Sequence, residues 1–149
     1  MLRKILKSKL HRAVVTGSDL NYEGSIAIDE ALIEGAELLP NEPVHVWNIT
    51  NGEHLETYAI SAARGSGEIC LNGAAARLAH QGDVVIISSF CWLEEEEARH
   101  HLPKMVRQPR AGRESLEETR HASPWRMLGL ANNAAAEVQA ILGGVLSLF

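Results

Sequence analysis

Three Gly–Ser pairs, Gly17-Ser18, Gly24-Ser25 and Gly65-Ser66, place a hydroxyl directly after the residue with the loosest backbone. Glycine leaves its carbonyl open to the following side chain and tolerates strained conformations that bring the two together. The chemistry open to such a pair is attack of the serine oxygen on the preceding carbonyl, which cuts the main chain. Its everyday use is a turn with a polar corner residue. Composition alone does not choose among the three pairs. Lys9 and His11 share one strand face, Tyr58 sits in an alternating run, and Asn72 precedes Gly73. Each has a plain structural reading too: a solvated pair, a core aromatic and a turn. The seven His are scattered, and adjacent His100 and His101 would diverge on a helix. Cys70 and Cys91 lack CxxC spacing and read as buried free thiols of a reducing cytosol. No metal site is expected.

The elements that must position these residues are mostly strands. The length of 149 residues suits one domain with one core. A net charge of −5 gives no basic field, and Lys and Arg do not interleave with aromatics, so nucleic acid is not an expected partner. No run reaches the ~20 apolar residues of a membrane span. The basic start "MLRKILKSKLHR" lacks an apolar h-region and a small-residue cleavage site, so it is expected in the fold, and the protein in the cytoplasm. "HRAVVTG", "GSIAID", "EICLNG" and "DVVIISSFCWL" read as strands. "IDEALIEGAELLP" carries a short helix capped by Asp29 and stopped by Gly35 and Pro40. "EPVHVWNIT" and "EHLETYAIS" flank Asn51-Gly52, a dipeptide favoured in two-residue hairpin turns. "AAARLAH" is a helical turn or two, and "EEEEARHHL" a short helix matched to its dipole. The expected class is mainly β, a small closed barrel over residues 1–104 with short helices. A polar linker follows over 105–124. An amphipathic C-terminal helix over 125–149 then has Leu130, Ala134, Val138, Ile141, Val145 and Leu148 on one face.

Six blocks carry a resemblance that resolves the Gly–Ser question. "KLHR" (Lys9 to Arg12), "YEGS" with "AID" (Tyr22 to Asp29), "VWNITNG" (Val46 to Gly52), "TYAI" (Thr57 to Ile60), "RGSGEICLNGAAA" (Arg64 to Ala76) and "GDVVIISSF" (Gly82 to Phe90) are collinear. In that order and spacing they resemble the pyruvoyl-dependent aspartate 1-decarboxylase family over roughly the first two thirds of the chain. The resemblance implies a double-psi β-barrel assembled as a homotetramer with sites between subunits. It implies a proenzyme cut between Gly24 and Ser25 into chains 1–24 and 25 onward, in some relatives with the help of a maturation factor. Ser25 Oγ attacks the Gly24 carbonyl, and elimination and hydrolysis leave an N-terminal pyruvoyl group, with Thr57 and His11 assisting. That cofactor forms a Schiff base with the amine of L-aspartate and accepts the electrons freed as carbon dioxide departs, giving β-alanine. Tyr58 then returns a proton. Lys9, Trp47 and Thr57 line the substrate site, Tyr22 and Asn72 support it, and Gly73, Ala74 and Ala75 offer backbone N–H groups to a carboxylate.

One position departs from the family. Two residues after the "TNG" turn, where the family carries an Arg that grips a substrate carboxylate with Lys9, this chain has His54. His is largely neutral near pH 7 and offers one donor instead of a fork. Losing a charge-assisted bond of about 1.5–3 kcal/mol weakens aspartate binding roughly 10- to 100-fold. The expectation is therefore aspartate turnover carried by Lys9 and a protonated His54, or the same chemistry on a β-substituted or amidated aspartate. A barrel that never matures and acts as a non-catalytic subunit is the third reading.

Overall fold

The computed structural model describes residues 1–108 and 117–120. Its strands are β1 (Leu2–Val14), β2 (Gly17–Asp19), β3 (Ser25–Asp29), β4 (Pro43–Asn48), β5 (His54–Ala62), β6 (Ile69–Asn72), β7 (Val84–Glu94), β8 (Lys104–Arg107) and β9 (Glu117–Arg120). They form one mixed sheet in the order β2-β6-β3-β5-β4-β7-β1-β8-β9. Two short helices, α1 (Glu30–Gly35) and α2 (Glu95–His100), and a 3-10 turn (Gly73–Arg77) complete the described part. A single core cluster draws Leu10 from β1, Ile26 and Ile28 from β3, Val44 and Val46 from β4, Ala59 from β5, Leu71 from β6, Ile87 from β7 and Val106 from β8. Strands so far apart in the sheet reach one cluster because the sheet wraps around it, in keeping with the small β-barrel expected. The basic N-terminal segment is β1, paired along its length with β7.

Strand β3 matters most to function because Ser25 is its first residue. Ile26 and Ile28 are fully buried, each contributing about 1.5–3 kcal/mol, so the strand cannot slide. At its far end Asp29 caps α1, accepting from Ala31 N at 2.8 Å, from Gly65 N at 2.9 Å and from Gly67 N at 2.7 Å. Burial raises the Asp29 pKa, but the N–H groups of Gly67, Ala31 and Gly65, helped by the Arg64 charge, outweigh it and hold the carboxyl below its usual value. One carboxylate thus ties β3 to α1 and to the loop leading into β6.

Strand β5 changes partner midway. Residues 54–58 pair antiparallel with β4, ending at Pro43↔Tyr58, and from Ile26↔Ala59 onward it runs parallel to β3. Thr57 and Tyr58 sit at that handover.

Three expectations are corrected. The β4–β5 connection spans residues 49–53 instead of closing on Asn51-Gly52, and the last pair is Trp47↔His54. Asn48 is the cause: its Oδ1 accepts from Thr50 N at 2.9 Å while its Nδ2 donates to Asp83 Oδ2 at 2.7 Å, so the turn starts earlier. Gly52 takes the left-handed position at φ 82°. Cys70 and Cys91 are free but half-buried instead of buried. Met105–Arg107, expected to open the linker, form most of β8 beside β1, because Val106 is an apolar residue that the core buries completely. Strand β9, also inside that segment, pairs with β8. The helix expected over 125–149 lies outside the described residues.

Candidate active site

Ser25 is 1% exposed, and its Cα partner across the antiparallel β3–β6 pair is Asn72. Asn72 Nδ2 donates to Ser25 Oγ at 2.9 Å. Asn72 stands at the head of the 3-10 turn but makes no side-chain cap there, its amide being committed to Ser25. The next residue, Gly73, has φ 63°. A Cβ built on it would lie 2.9 Å from Gly24 Cα, 3.0 Å from Gly24 N and 3.1 Å from Tyr22 O. Only glycine lets these two backbones meet, and the contact fixes the Tyr22–Gly24 segment against β6.

The β3–β5 pairing begins at Ile26↔Ala59, so Ser25 and Tyr58 are the residues immediately before that first pair on their two strands, with Gly24 and Thr57 one further back. Alternation then places Ser25 and Tyr58 on the outer face of the sheet, and Thr57 on the opposite one. The same outer face continues through Pro43, His45 and Trp47 of β4, through Ser88 and Phe90 of β7, and to Lys9 of β1, by the pairs Pro43↔Tyr58, His45↔Ser88 and Lys9↔Ser88. His54 stacks on Trp47 (centroids 5.5 Å apart) and on His45 (5.6 Å), with His45 Nδ1 and His54 Nε2 3.4 Å apart. Phe90 meets His45 edge-on at 5.1 Å. Lys7 is paired with Glu42 at 2.7 Å, whereas among the described residues half-buried Lys9 has no ion pair. The Ser88 hydroxyl next to it is buried and has no hydrogen-bond partner among the described residues.

The structure brings Gly24, Ser25, Asn72 and Gly73 into direct contact, and Tyr22 joins them through its backbone oxygen while its side chain is exposed. Tyr58 and Thr57 are on the neighbouring strand, and Ala74 and Ala75 lie in the 3-10 turn. Trp47 and His54 touch each other, with Lys9 further along the same face. His11 lies where the β1–β7 register shifts between Leu10 and Ala13, just before Arg12 at φ 57°. Sequence reasoning did not single out His45, which stacks on the His54 ring, Phe90, which meets His45 edge-on, or Cys70, which touches Asn72. The available signal was period-two spacing: His45 is two before Trp47, and Cys70 two before Asn72.

Fold and site together define a small mainly-β protein organised around one buried serine that follows an exposed glycine. Comparison with known proteins makes the family specific. The profile of a family described as aspartate decarboxylase matches residues 1–113. The chain is 60% identical over 106 residues to an aspartate 1-decarboxylase of Caldicellulosiruptor saccharolyticus, covering 71% of this chain and 83% of that protein. It is 55% identical over 106 residues to the Thermoanaerobacter pseudethanolicus protein of that name (71% and 91% covered). Against the Leptothrix cholodnii protein of the same name identity is 56% over 113 residues (76% and 86%). The chain belongs to the aspartate decarboxylase family.

Proposed function

We propose that this protein is a self-processing, pyruvoyl-dependent decarboxylase that converts L-aspartate to β-alanine and carbon dioxide. The observation that carries the proposal is the buried Ser25 hydroxyl, held by Asn72 Nδ2 at 2.9 Å directly after exposed Gly24. Ser25 Oγ attacks the Gly24 carbonyl carbon. The new C–O bond replaces the amide C–N bond, and the hydroxyl proton ends on the freed Ser25 nitrogen. Loss of the Ser25 Cα proton expels the Gly24 carboxylate, and hydrolysis of the resulting enamine releases ammonia and leaves the pyruvoyl group. Charge growing on the Gly24 carbonyl oxygen needs a fixed donor, and Thr57, two residues before the first β3–β5 pair, takes that role with His11.

The residues present fit a pyruvoyl group at position 25. The position is enclosed, it already has an amide N–H donor within hydrogen-bonding distance, and the close Gly73–Gly24 contact leaves no side chain over the peptide to be cut. The group supplies a carbonyl that binds the substrate amine and takes up the electron pair released with carbon dioxide. Tyr58, on the same face one strand away, returns a proton to the former α-carbon. Lys9 and His54 hold the side-chain carboxylate of the substrate. Gripping the departing α-carboxylate instead would stabilise the ground state and slow its loss. Trp47 backs the His54 ring. The N–H groups of Gly73, Ala74 and Ala75 add donors for that same side-chain carboxylate, with Tyr22 in support. We place the enzyme in the cytoplasm as a homotetramer whose neighbouring subunits cover the exposed Tyr22 and Tyr58, with a maturation factor as a partner in cleavage.

The test compares the native chain with Ser25→Ala and Tyr58→Phe on aspartate, reading β-alanine and carbon dioxide. The native chain forms both products. Ser25→Ala forms neither, and Tyr58→Phe is still cut but turns over about 10²- to 10⁴-fold more slowly. Product formation by Ser25→Ala defeats the proposal.

A further inference from the structure

We propose that Cys70 is a positioning residue for self-cleavage, its thiol selecting which end of the Asn72 amide meets Ser25; this rests on the proposed scission between Gly24 and Ser25. Cys70 and Asn72 are two apart on β6, so both side chains leave the same face. Cys70 Sγ donates to Asn72 Oδ1 at 3.5 Å, and Asn72 Nδ2 donates to Ser25 Oγ at 2.9 Å. The flanking strands leave room for the sulfur. Its Cα partner in β2 is Gly17, where an added Cβ would lie 3.4 Å from Sγ, and its partner in β3 is Ala27.

A carboxamide has a donor end and an acceptor end of nearly the same shape, so its partners decide its orientation. Turned over, Asn72 would present Oδ1 to Ser25 and accept the hydroxyl proton, holding the serine as a ground-state donor. In the observed sense Nδ2 donates to Oγ, and negative charge growing there as the proton leaves is stabilised. A thiol is a donor to Oδ1 and only a weak acceptor for the NH2 end, so it favours the productive sense. Burial first, then the charges of Glu68 and Asp19, push the Cys70 thiol above its usual range, which keeps the S–H in place at neutral pH.

The experiment follows the native full-length precursor and three variants by intact mass as the two fragments appear, with thermal melting as a check on folding. Cys70→Ser keeps a donor and cuts at close to the native rate. Cys70→Ala and Cys70→Val, one smaller and one larger but both without a donor, cut about 2- to 10-fold more slowly. The native rate also falls at alkaline pH as the thiol ionises, and Cys70→Ser shows no such fall. Should Cys70→Ala not fold, Cys70→Ser and Cys70→Val decide alone. Cleavage of the Ala or Val variant at the native rate, or a Ser variant as slow as either, overturns the role of Cys70 while leaving scission at Ser25 intact. A native chain that is never cut overturns both.

Discussion

Substituting Gly73 by Ala tests how the scissile peptide is held. The new Cβ would sit 2.9 Å from Gly24 Cα and 3.1 Å from Tyr22 O, where ordinary contact begins at 3.4 Å. Relief at Gly24 therefore takes a backbone shift of 3.4 − 2.9 = 0.5 Å. Misplacing reacting atoms by about 1 Å costs on the order of 100-fold, so half that distance corresponds to roughly 10-fold slower cleavage. The left-handed φ of 63° adds strain of about 1–2 kcal/mol for a residue with a Cβ. Gly82→Ala is the control: φ there is 94°, yet nothing lies within 4 Å of the added Cβ. Both variants should melt a few degrees lower, about 4 °C per kcal/mol for a domain of this size. Only Gly73→Ala should slow the appearance of fragments in an intact-mass time course. If the two are cut equally fast, the Gly73–Gly24 contact does not position the bond and the reasoning is wrong.

Asp29 sets an acid limit. Its carboxyl lies below its usual value in the folded chain, so its stabilisation is complete above the unfolded carboxyl pKa and is lost as pH falls through the folded one. Asp29→Asn should be less stable at neutral pH by about 2 kcal/mol and show a flatter stability profile below pH 4, measured by urea unfolding. His54→Arg should lower KM for aspartate by about 10- to 100-fold with little change in kcat, since it restores a forked, permanent cation for the side-chain carboxylate. An unchanged KM would point to a pocket shaped for a β-substituted or amidated aspartate.

The strands were legible from their patterns: β4 and β5 lie where the period-two runs lie, and β7 where an apolar, buried-strand run lies. Helix α1 was legible from Asp29, whose cap is seen directly. What escaped notice depends on contacts between distant segments. The early start of the β4–β5 turn combines a local bond from Thr50 N to Asn48 Oδ1 with a distant one to Asp83, 35 positions away, and the distant half has no local signal. Strand β8 reads as polar linker in isolation, since Val106 alone carries its burial. At the site, the glycine before Ser25 could be read, but the reason for Gly73 could not. Its absent Cβ matters only because Gly24 folds against it, 49 positions back along the chain. Likewise Cys70 acquires meaning only once β6 lies beside β3.

The most direct measurement is the intact mass of the purified full-length chain, before and after prolonged warming. Two chains should be found, one ending at Gly24 and the other opening at position 25 with no free amine and a carbonyl that takes up two hydrogens on borohydride treatment. A single uncut chain with ordinary serine at position 25 would contradict the account at its root.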